Sequence, residues 1–417
     1  MNEARGAVEA VWRMESARIV GALARYTGDF PLAEDLAQEA LAEALVSWSV
    51  DGVPAQPAGW LLTVGRRRAI DTFRRRAARD ERYALLARGL DGETPGPDAL
   101  FDPEAVDDDI LALMFVSCHP VLAREAGIAL TLRVVGGLST AEIAKAFLVP
   151  QPTIQARITR AKKALAAANV PFAVPPPEER AARLGSVLQV VYLIFTEGSY
   201  ASGGPEWIRT SLASEARRLA RVLVRLVPQP EVFGLLALME LTTARFPARL
   251  DAAGRPVLLE DQDRRLWDQS AIRRGRAALA QDVAAGRGLG VYGLQASIAE
   301  CHAVARSVKE TDWPRIVALY GALGKLAPSP VIELNRAVAV AVAMASGPEA
   351  GLGVLDAIDA RGWLAETHLL PSIRGELLLR LGRIGEARAE LSRAIGLCGN
   401  DAERAVLQDK LDGVGRV

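Results

Sequence analysis

The sequence is poor in the residue types on which disulfide-rich and metal-binding domains depend. It has three cysteines and three histidines in 417 residues, and aromatic residues make up only 5%. The cysteines, Cys118, Cys301 and Cys398, lie far apart, so neither a disulfide framework nor a paired-cysteine zinc motif is visible. We therefore predict no metal site and no cofactor, and a reducing, cytoplasmic environment.

Net charge and long hydrophobic runs are also absent. The 50 basic residues balance the 50 acidic ones, so any nucleic-acid site has to be a local basic patch. The longest apolar run, residues 337–345, is too short to span a membrane. The first residues include Glu3, Arg5 and Glu9 where a signal peptide has its apolar segment. We expect no contact with a membrane.

What the sequence has in abundance favours helices. Half of the residues are hydrophobic, and alanine, leucine, arginine and glutamate, which are good helix formers, are common. Apolar residues recur at helical spacing over most of the chain. The predicted fold class is therefore all-α.

Residues 138–165 are predicted to form two short helices joined by a tight turn. Ser139 and Glu142 match a capping box, and Pro152 suits the first turn of the second helix. Its apolar face consists of Ile154, Ile158, Ala161 and Leu165. Its polar face consists of Thr153, Gln155, Arg157, Arg160 and Lys163. Such a helix fits a DNA major groove, although an ordinary helical hairpin with a solvated basic face has the same pattern.

Two earlier helices carry opposite charges. The helix predicted over 32–48 contains Glu34, Asp35, Gln38 and Glu39, which taken alone are typical of a solvated face. The next helix leads into eight arginines and three acidic residues between positions 66 and 82. Apolar residues interleave with these arginines at helical spacing, so the charges belong to a folded helix. An ordered basic helix suits a nucleic-acid backbone.

With these motifs in this order, residues 1–168 resemble an ECF-type (extracytoplasmic-function) RNA polymerase sigma factor. The middle helix of that family contains Trp-Leu, then Arg, then Ala-Ile-Asp and a closing Arg-Arg pair. This chain has them at 60–61, 66, 69–71 and 74–75. One position departs from the pattern: Arg67 stands where the family usually has Asn, a residue that helps to read the −10 element.

The resemblance implies a role for each motif. Core polymerase, through its β′ coiled coil, would bind Glu34, Asp35, Gln38 and Glu39. The −10 element of promoter DNA would bind Arg66, Arg67, Asp71, Arg74 and Arg75. The −35 element would bind Thr153, Gln155, Arg157, Arg160 and Lys163. The polymerase β flap is the further partner expected for the second module.

The predicted organisation has six segments. They are a sigma region 2-like helical domain (1–88), an acidic flexible linker (89–109), a region 4-like helix-turn-helix domain (110–169), a proline-rich connector (170–178), a helical extension (179–300) and TPR-like repeats (301–417). The repeats rest on spaced triplets at Ile316, Tyr320 and Leu323, at Ala350, Val354 and Ala357, and at Ala387, Leu391 and Ala394. Stacked helical hairpins leave a concave surface for a protein partner. The extension resembles the long-extension branch of the same family.

Two other functions fit parts of the sequence. A helix-turn-helix repressor or activator with a TPR-like sensor would not require an acidic and a basic helix in this order. A metal-dependent enzyme has only scattered candidates, namely Glu260, Asp261, Asp263 and the pairs Cys118-His119 and Cys301-His302, for which we predict structural roles. We therefore predict a sigma factor that performs no catalysis, directs promoter recognition and is regulated in cis by its extension.

Overall fold

The computed structural model describes residues 2–77, 103–201, 206–343, 347–362 and 364–414. These residues are mostly α-helical, and their one recorded β-type pairing is an isolated bridge between Leu250 and Pro256. The all-α prediction is confirmed. The chain divides into two compact units, unit 1 (Met1–Leu193) and unit 2 (Ile194–Val417). None of the described helices is long and apolar enough to cross a bilayer.

Unit 1 holds the helices that carry the sequence motifs. They are α1 (Asn2–Thr27), α2 (Phe30–Asp51), α3 (Pro57–Ala77), α4 (Pro103–Ser117), α5 (Arg124–Val134), α6 (Thr140–Ala146), α7 (Gln151–Ala167) and the first part of α8 (Pro177–Ser199).

The described part of unit 2 consists mainly of α-helices, with two short 3₁₀ turns and the Leu250–Pro256 bridge between them. The helices are α9 (Thr210–Leu226), α10 (Pro230–Thr243), α11 (Gln269–Ala284), α12 (Val291–Val304), α13 (Trp313–Leu326), α14 (Pro330–Ala343), α15 (Gly347–Asp359), α16 (Leu369–Arg380), α17 (Ile384–Leu397) and α18 (Asp401–Gly413).

Helices α1, α2 and α3 form a bundle around a shared apolar core. Asp29 caps α2 by accepting a hydrogen bond from the Leu32 backbone N–H at 3.0 Å, which satisfies a donor that the helix itself leaves open. Trp60 of α3 stacks edge-on against the buried Trp48 of α2, with ring centroids 5.6 Å apart. Trp60 therefore packs within the bundle.

Helices α6 and α7 form the predicted helix-turn-helix. The Ser139 hydroxyl accepts from the Glu142 N–H at 3.1 Å, and the Ser139 N–H donates to the Glu142 carboxylate at 2.8 Å. The capping box is therefore confirmed. The apolar face of α7 is buried along its whole length, by Ile154, Ile158, Ala161 and Leu165.

The helices α4 to α7, which we call the helix-turn-helix module, pack against α1, and two glycines allow the close approach. A Cβ at Gly21 would lie 2.9 Å from the Asp109 Cβ. Gly137 has a φ of +68°, and a Cβ there would lie 2.8 Å from the Ser16 hydroxyl. Contacts this close leave no room for a side chain, so the two modules are joined tightly in unit 1.

Helix α4 begins at Pro103, before the position where the sequence pattern ends the acidic linker. Residues 103–109 are therefore helical, whereas 89–102 lie outside the described residues, as do Arg79 and Arg82 of the basic run. Proline is well suited to a first helical turn. Asp109, nearly two turns into the helix, is buried and pairs with Arg25 at 3.3 Å, so the end of the predicted linker belongs to the packed structure.

The division between the two units lies inside α8 and not in the connector at 170–178. In the first part of α8, Arg183 donates to the Phe115 carbonyl at 3.1 Å. A Cβ at Gly127 would lie 3.9 Å from Val190. The start of the extension therefore packs with the helix-turn-helix module.

The repeats of unit 2 include one whose register differs from the sequence prediction by one residue. The pattern assigns the middle triplet to Ala350, Val354 and Ala357, but the buried positions are Gly351, Leu355 and Ile358. A Cβ at Gly351 would lie 2.7 Å from the Ala341 Cβ, so the close approach of α15 to α14 selects glycine there. The three triplets then begin at Ile316, Gly351 and Ala387, close to the ~34-residue period of TPR hairpins.

Candidate DNA and polymerase interfaces

The polar face of α7 is open to solvent in unit 1. Gln155, Arg160 and Lys163 are exposed, and Thr153 and Arg157 are partly exposed. Arg160 also donates to the Ala156 carbonyl of its own helix at 3.3 Å. Since the apolar face of the same helix is buried, the five side chains predicted to contact the −35 element lie on the side of α7 that remains accessible.

The acidic face of α2 is covered by cations from the helix-turn-helix module. Glu34 is buried, and its carboxylate lies 2.7 Å from the Lys162 ammonium of α7. The same ammonium contacts Asp35. Arg133 of α5 donates to Gln38 and lies 3.7 Å from Glu34. Three of the four residues predicted to bind polymerase therefore contact cations of the helix-turn-helix module.

The electrostatic balance at this contact is set by burial and by the carboxylates. Burial alone would lower the pKa of Lys162, but Glu34 and Asp35 outweigh it and raise the pKa above its usual value. At Arg133 burial dominates and lowers the pKa, although Glu34 opposes it. Lys162 is therefore held as a cation between two carboxylates, where each charge reduces the cost of burying the others.

The fourth predicted polymerase contact, Glu39, faces α3 instead. Its carboxylate lies 3.0 Å from Arg68, which also contacts Glu43 at 2.7 Å. Arg67 pairs with the other oxygen of Glu43 at 2.6 Å. Burial alone would raise the pKa of Glu43, but Arg68 and Arg67 lower it. The acidic face of α2 is thus divided between two neighbours.

The remaining side chains predicted to contact the −10 element differ in their surroundings. Arg66 is half-buried and lies over the Tyr26 ring, 5.0 Å from its centroid, and burial lowers its pKa. Asp71, Arg74 and Arg75 are exposed. Arg75 donates to the Asp71 carbonyl at 3.3 Å. The end of α3 therefore presents its charges to solvent, whereas Arg66 also packs in the bundle.

Lys162, Arg133 and Arg68 were not among the residues singled out from the sequence, whereas Glu43 was recognised only as one of the carboxylates on the acidic helix. One signal was available for Lys162, which follows the buried Ile158 by four residues. Positions four apart share a face of a helix, so Lys162 belongs to the buried flank of α7. Its neighbour Lys163 lies on the exposed side.

The scattered enzyme candidates have structural environments. Cys118 is buried, and burial raises the pKa of its thiol to about 11. His302 packs edge-on against Trp313 with ring centroids 5.3 Å apart, and burial lowers its pKa to about 4. Asp263 caps a 3₁₀ turn and pairs with Arg265 at 2.7 Å. Among the residues that the structure describes, none of these side chains belongs to a group of three that could hold a metal ion.

Unit 2 contains a cavity of about 220 Å³ between its last helices. Its floor is apolar and includes Trp207, Leu258 and Ile373. Charged side chains line it as well, and among them Lys410 pairs with Glu376 at 2.5 Å. An apolar floor with a few polar groups is the usual character of a ligand or peptide pocket.

A helix-turn-helix with an exposed polar second helix, preceded by an acidic and a basic helix, defines a DNA-binding transcription protein with more than one macromolecular surface. Comparison with known families agrees. Residues 12–79 match sigma-70 region 2, residues 113–165 match sigma-70 region 4, and residues 183–283 match a family of unknown function, DUF6596. The chain belongs to the ECF family of RNA polymerase sigma factors and carries a C-terminal extension.

Two relatives cover different shares of the chain. The ECF RNA polymerase sigma factor SigL of Mycobacterium tuberculosis is 33% identical over 144 residues, which are 34% of this chain and 76% of SigL. The uncharacterized protein R00370 of Rhizobium meliloti is 43% identical over 406 residues, which are 94% of this chain and 92% of that protein. No solved structure matches the chain. The similarity to SigL supports the sigma factor role, and the similarity to R00370 includes the extension.

Proposed function

We propose that this sigma factor binds core polymerase through the acidic face of α2, reads the −10 element with α3 and reads the −35 element with α7. The main support is the arrangement of α7, whose apolar face is buried while Gln155, Arg160 and Lys163 are exposed. A recognition helix needs this division, because its back must be held while its front enters the groove.

Promoter geometry requires unit 1 to open before it can read both elements. The −10 and −35 elements are separate sites along the duplex, and two sites only one helical turn apart are already roughly 34 Å from each other. In unit 1 the Lys162 ammonium of α7 lies 2.7 Å from Glu34 of α2. Helix α7 itself is only about 25 Å long. The packed arrangement therefore represents a closed state of the free chain.

Polymerase docking would provide the free energy for this opening. The residues proposed to bind the β′ coiled coil, Glu34, Asp35 and Gln38, are those engaged by Lys162 and Arg133. Polymerase has to replace these cations with its own contacts. Docking on α2 and release of α7 are then one coupled step, and promoter reading follows the assembly of the holoenzyme.

Binding to core polymerase in the absence of DNA tests this function most directly. We expect the full chain to co-purify with core enzyme and to support run-off transcription. Asp35→Arg should abolish both, because a reversed charge at a docking surface adds repulsion. The matched control is Asp51→Arg at the exposed end of the same helix. A folded Asp35→Arg variant that still captured β′ would refute the docking assignment, and a chain that bound DNA but never polymerase would favour the repressor alternative.

We also propose that the extension regulates sigma activity in cis and binds a protein partner. Unit 2 has its own cores, such as the cluster that includes Leu334, Leu355 and Leu377, and the cavity described above. An ordered domain of this size exceeds what promoter recognition needs. Residues 1–199, which end with α8, should differ from the full chain in run-off transcription, core affinity or both. Equal values of both would remove the regulatory role.

A further inference from the structure

Three side chains with metal-binding atoms converge at the ends of the last three helices. His368 caps the start of α16, Cys398 follows the end of α17, and Glu403 lies in the first turn of α18. One ligand atom from each lies within 4.8 Å of the others. We propose that His368, Cys398 and Glu403 form a zinc site that joins these helix ends.

The donor set selects the metal. Imidazole and thiolate favour zinc over magnesium or calcium, which prefer oxygen ligands, and a carboxylate is a common third ligand of zinc. Three protein ligands leave a fourth tetrahedral position open. Glu403 also lines the cavity of unit 2.

The distances fit one shared ion. The His368 Nε2 atom lies 3.1 Å from a Glu403 carboxylate oxygen. Two such ligands of one tetrahedral zinc, each ~2.0–2.1 Å from the metal, are separated by about 3.3 Å. A sulfur and a nitrogen ligand are separated by about 3.6 Å. Cys398 Sγ lies within 4.8 Å of both other atoms.

The polar atoms of the cluster also lack other strong partners. His368 Nε2 is buried, and despite its closeness to Glu403 it forms no hydrogen bond of acceptable geometry. The Cys398 thiol makes one weak contact, 3.4 Å to the Asn400 carbonyl. A buried nitrogen without a hydrogen bond costs free energy, and a metal ion would satisfy it.

Zinc binding has a defined proton balance. A cysteine binds zinc as the thiolate, so the Cys398 thiol has to give up its proton when the metal enters. Coordination forms a zinc–sulfur bond and breaks the S–H bond, and the proton passes to solvent. The full-length protein should therefore bind one zinc per chain and release a proton, with an affinity that rises with pH.

Two controls are supplied by the chain itself. Cys301 is buried and His302 is partly buried, and both lie outside the cluster, so Cys301→Ser and His302→Ala match Cys398→Ser and His368→Ala in chemistry. The probe is ZnCl₂ added to metal-stripped full-length protein in competition with a chromophoric chelator. Co²⁺ is the second probe, because a cobalt–thiolate bond gives a charge-transfer band that reports Cys398 directly.

We expect Cys398→Ser and His368→Ala to weaken zinc binding by more than about 100-fold, since even outer-shell changes cost 10–100-fold. Both control variants should bind zinc as the wild type does. Zinc should raise the melting temperature of the wild type and of the two controls, but not that of the ligand variants. Glu403→Gln keeps the side-chain shape and serves if a ligand variant does not fold. Absence of the cobalt–thiolate band, or zinc binding that is unchanged in Cys398→Ser or Glu403→Gln, would overturn the site.

Discussion

Two buried glutamates, one in each unit, are surrounded by cations but differ in what those cations connect. In unit 1, Glu34 of α2 is held by Lys162 and Arg133, which belong to the helix-turn-helix module. In unit 2, Glu240 of α10 is held by arginines of the adjacent helices α9 and α11. They are Arg217 at 3.6 Å, Arg221 at 2.5 Å and Arg274 at 3.0 Å.

The comparison shows that a buried glutamate contacted by several cations can have two different roles. The three arginines around Glu240 come from helices that are consecutive in one domain and have no functional reason to separate. The cations around Glu34 come from a module that has to separate from α2 under our proposal. The first cluster stabilises a fold, and the second closes a conformation that polymerase opens.

The largest effect should follow from removing the carboxylate in unit 2. Glu240→Ala would leave three arginines without their shared counter-charge, and we expect a loss of about 3–5 kcal/mol in the free energy of unfolding. Urea unfolding followed by circular dichroism measures it. Glu386→Gln, at an exposed pair on α17, is the control and should leave the midpoint unchanged. A similar midpoint for both variants would contradict the role given to Glu240.

Asp282, a second buried carboxylate in unit 2, extends the comparison, because no arginine is among the groups that shift its pKa. Both oxygens of Asp282 lack a hydrogen-bond partner, and burial, with a smaller contribution from Glu231, raises its pKa from 3.8 to about 6. Because folding raises the pKa of this carboxyl, the contribution of Asp282 to the free energy of unfolding is fully present below about pH 4 and is lost as pH rises through about 6. Asp282→Asn should therefore be more stable than the wild type at pH 8, by up to about 3 kcal/mol.

The pH profile distinguishes this cause from a packing effect. The gap between Asp282→Asn and the wild type should narrow as pH falls below 6, because the wild-type carboxyl then becomes neutral as well. Asp261→Asn, an exposed change on a nearby loop, should follow the wild-type profile. A gap that stayed constant between pH 5 and pH 8 would exclude titration of Asp282 as its origin.

In unit 1 the open face of α7 can be tested apart from the closed contact. Arg157→Ala should weaken binding of holoenzyme to its specific promoter by ~1–3 kcal/mol if the guanidinium makes a bidentate base contact. Lys163→Ala should weaken all sequences alike and reduce the salt slope by about one. Equal losses on specific and random DNA for Arg157→Ala would assign Arg157 to the phosphate backbone.

The smallest effect, and the one closest to the comparison, concerns Lys162. Lys162→Ala should destabilise the closed state and tighten binding of core polymerase about 5–10-fold, at the lower end of the ~1–3 kcal/mol that is typical of coupling energies between sites. Lys163→Ala is the matched control, because its side chain points to solvent from the next position, and it should leave core affinity unchanged. Weaker core binding by Lys162→Ala would place Lys162 in the polymerase contact itself.

The amino-acid sequence by itself determined the helices and the order of the motifs. Helical periodicity predicted the buried face of α7, and local chemistry predicted its capping box at Ser139 and Glu142. Both depend on residues within one or two turns, where spacing along the chain fixes spacing in the helix. The same holds for the acidic face of α2 and the basic face of α3.

Only the tertiary structure decided which of these charges meet. Lys162 and Glu34 are far apart in the sequence, and so are His368 and Glu403, so no periodicity connects them. The one-residue register of Gly351 depended on the Cβ of Ala341 on the neighbouring helix. The burial of Asp109, in the predicted linker, depended on its contacts with Gly21 and Arg25 of α1. Each of these features arises from contacts between helices, and a pattern read along one helix does not contain them.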